Sequence, residues 1–63
     1  MNMSIEDLRN TIYKKCKIKT LEDIPGVIIS VWINAYGIQF EVRYYVNSKQ
    51  ECQYFLPEEI TIL

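Results

Sequence analysis

A run of alternating apolar and polar residues, IQFEVRYYV at positions 38–46, constrains the fold most. Successive side chains of a β-strand point to opposite faces, so this alternation predicts a strand with one buried face. The inward residues are then Ile38, Phe40, Val42, Tyr44 and Val46, and the outward residues are Gln39, Glu41, Arg43 and Tyr45. A chain with this strand must build a sheet to cover its apolar side.

The preceding run VIISVWIN, residues 27–34, predicts the antiparallel neighbour of that strand. Asn34 and Gly37 flank the tip, and both residue types reach the left-handed backbone region that a short hairpin demands. Together, residues 26–46 form a long hairpin at the centre of the chain.

Two assignments are possible for which side chains of residues 27–34 point into the core. In the first, Val27, Ile29, Val31 and Ile33 share the core face, which leaves Ile28 and Trp32 outside. In the second, a β-bulge inserts one extra residue and places Ile28 and Val31 inside. The alternation alone leaves both open.

A helix is predicted over residues 4–16. Ser4 with Asp7 three residues later forms a capping box, and the lysines at the other end suit the helix dipole. Ile5, Leu8, Ile12 and Cys16 recur at helical spacing and form one apolar stripe. The helix therefore has one face that another part of the molecule must cover.

The remaining segments predict short strands joined by turns. We expect a strand at 17–21, a turn at Pro25-Gly26, a polar turn at 47–50 and a strand at 51–56. In that last strand Cys52, Tyr54 and Leu56 would face inward and Phe55 outward. Pro57 stops it and suits a single 3₁₀ turn, after which Ile60-Thr61-Ile62-Leu63 forms a final strand.

Sixty-three residues make one domain, 1–63, consisting of the helix at 4–16 and a small β-barrel at 17–63. A net charge of −1 disfavours nonspecific nucleic-acid binding as the main role. With only two cysteines, no apolar run of membrane-spanning length and a polar N-terminus, we expect a cytoplasmic protein with free thiols.

The composition offers few of the side chains that catalysis uses. The chain has no histidine, which excludes a Ser–His or Cys–His pair and any histidine-containing metal site. Its two glycines cannot form a glycine-rich phosphate loop. The sequence therefore predicts neither an enzyme nor a bound cofactor or metal.

The order of elements, with GVIISV, then GIQFEVRYY, then FLPEEITIL, resembles small Tudor- and KOW-like proteins of phages and prophages. The resemblance covers residues 17–63. It implies a mainly β fold, a five-stranded antiparallel Src-homology-3-like barrel, to which the helix at 4–16 is an addition. It also implies a binding role, with peptides, methylated side chains, nucleic acid or neighbouring subunits as ligands. Glu22-Asp23 departs from the Gly-Asp pair common in the first loop of that family.

The apolar residues that the strands leave outside are candidates for partner binding, either to another protein or to a second copy. These candidates are Ile28, Trp32, Tyr45 and Phe55, with Tyr36 at the hairpin tip. A continuous exposed apolar patch usually marks a contact surface. In one explanation the N-terminal helix covers this face by packing Ile5, Leu8 and Ile12 against it; in the other a partner covers it.

The second candidate surface is basic. Lys14, Lys15, Lys17 and Lys19 form the only basic cluster in the chain. Such a cluster suits phosphate contacts, which makes a nucleic-acid-binding small barrel the alternative function, or it is simply a solvated helix end and strand. We expect protein–protein contact to be the function and nucleic-acid binding to be the alternative.

Overall fold

The computed structural model describes residues 4–63, which form a five-stranded antiparallel sheet with one short helix. The elements are α1 (Ile5–Arg9), β1 (Lys15–Ile18), β2 (Ile24–Asn34), β3 (Gly37–Val46), β4 (Lys49–Phe55) and β5 (Ile60–Ile62), with single 3₁₀ turns at Lys19–Leu21 and Pro57–Glu59. The spatial order is β4-β3-β2-β1-β5. The predicted mainly β, five-stranded antiparallel fold is confirmed. Within residues 4–63 no ladder joins β4 to β5, so the sheet is not closed into a barrel.

The core lies on one face of this sheet and draws a residue from every strand. Its fully buried side chains come mostly from β1, β2 and β3: Cys16, Ile18, Ile28, Phe40 and Val42. Tyr44 and Phe55 meet edge to face with ring centroids 6.2 Å apart, and Ile60 and Leu8 close the ends. Phe40, Val42 and Tyr44 confirm the predicted inward face of β3.

A β-bulge in β2 decides which side chains of that strand enter the core. Ile28 pairs with Val42 and Ser30 pairs with Glu41, so Ile29 is the extra residue between them. Ile28 is 0% exposed and Val31 packs against the core, while Trp32 lies on the opposite face. The bulge solution is therefore confirmed, and the uninterrupted alternation is wrong for Val27 and Ile28.

The facing predicted for β4 is wrong: Phe55 is buried, whereas Cys52, Tyr54 and Leu56 are exposed. Asn47 and Ser48 both have positive φ, 52° and 66°, which makes a two-residue hairpin loop that pairs Val46 with Lys49. From that register Phe55 lies beside Phe40 in the core. Successive side chains of a strand point to opposite faces, so Tyr54 lies exposed on the other side.

The N-terminal helix is also shorter than predicted. The capping box forms, with the Asp7 N–H donating to Ser4 Oγ at 3.1 Å, but α1 ends at Arg9. Tyr13 takes a left-handed conformation with φ of 71° and donates its N–H to the Ile28 carbonyl. Pairing with β2 therefore overrides the helical stripe, and Cys16 enters the core from β1 rather than from a helix.

The turn predicted at Pro25-Gly26 lies earlier. Glu22 and Asp23 make it, both with positive φ, and Pro25 and Gly26 are already inside β2. A Cβ on Gly26 would come within 2.5 Å of Val42 Cγ1 and 3.2 Å of the Arg43 carbonyl oxygen. Gly26 therefore allows β2 and β3 to approach closely over the core.

We expect Phe55→Ala to lower the free energy of unfolding by about 3–5 kcal/mol, because it empties a core position. Tyr54→Ala, the adjacent control on the other face, loses only an exposed aromatic contact worth about 0.5–1.5 kcal/mol. Chemical denaturation of both variants measures the difference. A larger loss for Tyr54→Ala would contradict the facing of β4.

Replacing Gly26 with Ala is expected to lower the free energy of unfolding by about 1–3 kcal/mol, because the added methyl group overpacks the contact with Val42. In a Val42→Ala background the added methyl group has room, so the same substitution should cost clearly less. The comparison of the two backgrounds by thermal unfolding isolates this contact. Equal costs in both would show that Gly26 is not needed for the close approach.

Candidate functional site

The side of the sheet opposite the core, here called the outer face, carries the candidate site. Its residues are ordered by the strand registers: Lys15 pairs with Val27, Val27 with Arg43, and Arg43 with Cys52. Further along β2 and β3, Ser30 lies beside Glu41 and Glu41 beside Tyr54. The outer face is thus a flat array of mixed aromatic, apolar and charged side chains.

An aromatic patch, formed by Trp32 and Tyr54, stands at one end of the outer face. The two rings meet edge to face with centroids 6.0 Å apart, yet Trp32 remains 53% exposed and Tyr54 51% exposed. Trp32 Nε1 donates to Ser30 Oγ at 2.9 Å, and Ser30 Oγ donates to Glu41 Oε1 at 2.7 Å. These bonds hold the indole in place while leaving much of it accessible to a ligand.

The predicted partner-binding residues do not form a single surface. Ile28 and Phe55 are buried in the core, so their predicted exposure is wrong. Tyr36 is 99% exposed at the hairpin tip, and Tyr45 lies on the outer face. Tyr45 is four positions along β3 from Glu41, the neighbour of Tyr54, which puts it about 13 Å from the aromatic patch.

Tyr54 is the residue that the sequence reasoning missed. The alternation of residues 51–56 fits either facing, and pairing with β3 selects the one in which Phe55 lies opposite Phe40. A turn with an even number of residues, including one at 47–50, already places Phe55 on the inward side of β3, and this parity is the signal that would have predicted it.

The N-terminal helix does not cover the outer face. Ile5 is 71% exposed, Trp32 is half exposed, and Leu8 contributes to the core on the other side. The explanation in which Ile5, Leu8 and Ile12 pack against Trp32 and Phe55 is therefore wrong. The outer face is left open within the part of the chain that the structure describes.

A groove of about 340 Å³ lies at the other end of the outer face. Pro25, Gly26 and Val27 of β2 line it, together with Cys16 of β1. The side chains around them are Lys15, Arg43, Tyr45 and Leu63. Among the described residues no Asp or Glu side chain lines this groove.

The basic cluster is divided by the fold. Lys15 and Lys17 are alternate residues of β1, opposite Val27 and Pro25, on the outer face. Lys19 belongs to the following 3₁₀ turn and lines a separate depression with Pro57, Glu58 and Ile60. Lys14 precedes β1, and its carbonyl accepts the N–H of Ile28. The four lysines therefore do not present one continuous basic surface.

The outer face has a charge opposite to that of the whole chain. The strand registers place Lys15, Lys17 and Arg43 on it, against the single carboxylate of Glu41, whereas the chain carries −1 overall. Three cations and one acid leave this face at +2. Its charge therefore favours an acidic ligand.

Other kinds of site find little support in residues 4–63. No group of three or more Cys, Asp or Glu side chains in this range could hold a metal ion. The helix at Ile5–Arg9 is far too short to cross a membrane, and no other described helix is long or apolar enough. No protein-family model matches the chain, and neither a curated protein nor a solved structure matches it.

Both cysteines are free, as predicted, and their surroundings differ sharply. Cys16 is buried in the core, and this burial raises the pKa of its thiol. Cys52 is exposed beside Arg43 on the outer face. Since the thiolate is the reactive form, the two thiols should differ in reactivity.

We expect an alkylating reagent to modify Cys52 rapidly and Cys16 only when the chain unfolds. The unfolded chain has an ordinary thiol pKa near 8.5. The folded state therefore favours the protonated Cys16 thiol. Its contribution to the free energy of unfolding is fully present below that pH and is lost as the pH rises through the raised folded pKa of Cys16. Mass spectrometry of time-quenched samples, with Cys52→Ala as the control, measures the rate at Cys16. Rapid labelling of Cys16 in native Cys52→Ala protein would contradict its burial.

Proposed function

We propose that this chain is a non-enzymatic protein-binding module whose outer face binds an acidic segment of a partner protein. The observation that carries the proposal is the aromatic patch of Trp32 and Tyr54. Two large rings remain half exposed on one face although the core on the other face is complete. Tryptophan and tyrosine are the residues most enriched at the energetic centres of protein interfaces.

The hydrogen bonds beneath the patch support a binding role. The chain from Trp32 through Ser30 to Glu41 restricts the indole before a partner arrives. An ordered side chain loses less entropy on binding, so more of the contact energy is available for affinity. An exposed ring left over from folding has no need of such support.

The charge of the outer face selects the kind of partner. Lys15, Lys17 and Arg43 outnumber the single acidic side chain there, and no Asp or Glu side chain is among the described residues that line the groove beside them. Complementary charge steers association and disfavours basic partners. An acidic polypeptide with apolar side chains satisfies both the cations and the exposed rings.

Nucleic acid fits the same surface less well. Phosphate binding draws on several clustered cations, yet Lys19 lies beside Glu58 and away from the outer face. Nucleic-acid binding through Lys15, Lys17 and Arg43 is therefore the competing outcome of the experiment below.

The proposal extends to the fold and the origin of the chain. The strand order β4-β3-β2-β1-β5, with a 3₁₀ turn before the last strand, is compatible with an open Src-homology-3-like barrel in which β2 bends at its bulge. The resemblance to small phage and prophage proteins gives a cytoplasmic setting in a bacterial cell. Fold alone does not select a function, so the binding role depends on the outer face.

The sole tryptophan, Trp32, makes the test direct, because its fluorescence reports on the outer face. The probe is an extended peptide of about eight residues, blocked at both ends, with glutamate and valine in turn at every second position and serine between them, so that both kinds of side chain lie on one face. Matched peptides replace glutamate with glutamine or lysine. We expect only the acidic peptide to shift the emission of Trp32, and salt to weaken its binding.

Calorimetry then compares variants against that acidic peptide. Trp32→Ser and Tyr54→Ser should each weaken binding by roughly tenfold or more, as expected for ring contacts near an interface centre. Tyr36→Ser, which removes a more exposed aromatic away from the outer face, should leave the affinity unchanged.

Three outcomes would count against the proposal. Equal binding of the acidic and lysine peptides would remove the charge argument. Tight binding of a single-stranded oligonucleotide in place of the peptide would favour the nucleic-acid alternative. A dimer that dissociates on Trp32→Ser, seen by light scattering, would show that a second copy occupies the face.

A further inference from the structure

We infer that the groove beside Arg43 binds the carboxyl-terminal residue of the partner segment. Its apolar side chain would lie on Pro25 and Val27, and its carboxylate would meet Arg43 and Lys15. The inference depends on the proposed function, because it specifies which part of an acidic partner occupies this end of the outer face.

The two cations are placed to share one anion. Lys15, Val27 and Arg43 are successive partners across three neighbouring strands. Strands lie about 4.8 Å apart, so the two cationic residues flank Val27 with backbones about 10 Å apart. Both side chains are long enough to converge above Val27. The planar fork of arginine also matches the two oxygens of a carboxylate.

An apolar surface lies directly beside these charges. Pro25, Val27, Tyr45 and Leu63 supply its apolar side chains. The N–H of Leu63 donates to the Lys15 carbonyl at 3.0 Å, which ties Leu63 to β1. At about 340 Å³ the groove is at the small end of the range for ligand sites. It therefore suits one residue better than a longer segment.

A chain end meets these requirements better than an internal acidic residue. Adjacent side chains of an extended segment point to opposite sides, and those on the same side are about 7 Å apart. An internal acid and its apolar neighbour therefore cannot enter one small groove together. A terminal residue carries its carboxylate and its side chain on the same Cα, so both groups arrive together.

The test uses the short peptide acetyl-Glu-Glu-Val as a free acid and as its carboxyl-terminal amide. The two differ only in the group that we assign to Arg43. We expect the free acid to bind at least roughly tenfold more tightly, as a charge-assisted bidentate pair implies. Backbone amide NMR signals of Val27 and Arg43 should move on titration and give the dissociation constants.

Arg43→Gln should abolish the preference for the free acid and leave the residual binding of the amide unchanged. Lys49→Gln is the control, because it removes one cation from the exposed start of β4, outside the groove. That variant should retain the preference. Lys15→Gln should reduce the preference less than Arg43→Gln, since lysine presents a point charge instead of a fork.

Equal affinities for acid and amide would overturn the inference, as would unmoved Val27 and Arg43 signals at about 5 mM free acid. The longer peptide blocked at both ends separates this failure from that of the proposed function. If it still shifts the emission of Trp32, the outer face binds acidic segments but not their ends. If it does not, the proposed function fails as well.

Discussion

The bulge in β2 is the constraint on which the rest of the molecule depends. One extra residue at Ile29 lets the same strand place Ile28 in the core before it and Val31 after it. The alternation then directs Ser30 and Trp32 to the outer face. Without the bulge, Ile28 and Trp32 would share a face, and either an isoleucine would be exposed or an indole would have to enter a core that is already filled. Bulges near functional surfaces commonly re-aim side chains in this way.

The bulge also explains how the N-terminal segment joins the sheet. The backbone N–H of Ile28 donates to the Lys14 carbonyl at 3.0 Å, and the Ile28 carbonyl accepts from Tyr13. These bonds continue the β1–β2 ladder beyond Lys15. They end the helix early because Tyr13 must take a left-handed conformation to reach its partner. A helix over residues 4–16 would have satisfied local propensity but would have left β2 without part of its hydrogen bonding.

The outcome is a small domain with two different sides. The core side is closed by every strand and by Leu8, whereas the outer side keeps aromatic residues and an excess of positive charge. In a 63-residue chain, exposed rings are not needed to complete the fold once Phe40, Tyr44 and Phe55 are buried. The proposed contact with an acidic partner would account for their position, and the proposed binding of a chain end at Arg43 would orient that partner on the surface.

The strands nearest the hairpin could be read from sequence because their signal is local. The alternation of residues 38–46 predicts which residues of β3 are buried, and the capping box at Ser4 and the 3₁₀ turn at Pro57 depend on neighbouring residues only. The candidate site was predicted less completely. Trp32 and Tyr45 are on the outer face as expected, but Ile28 and Phe55 are not, and Tyr54 was missed.

The sequence by itself determined that this chain forms a five-stranded antiparallel sheet, since alternation and turn residues act over a few positions. Only the tertiary structure decided which face each ambiguous strand turns to the core. Facing depends on register: the bulge in β2 shifts its pairing by one position, and in β4 the pairing of Phe55 with Phe40 fixes which side chains face the core. For the same reason only the folded chain brings Lys15, Val27 and Arg43 from three strands into one groove.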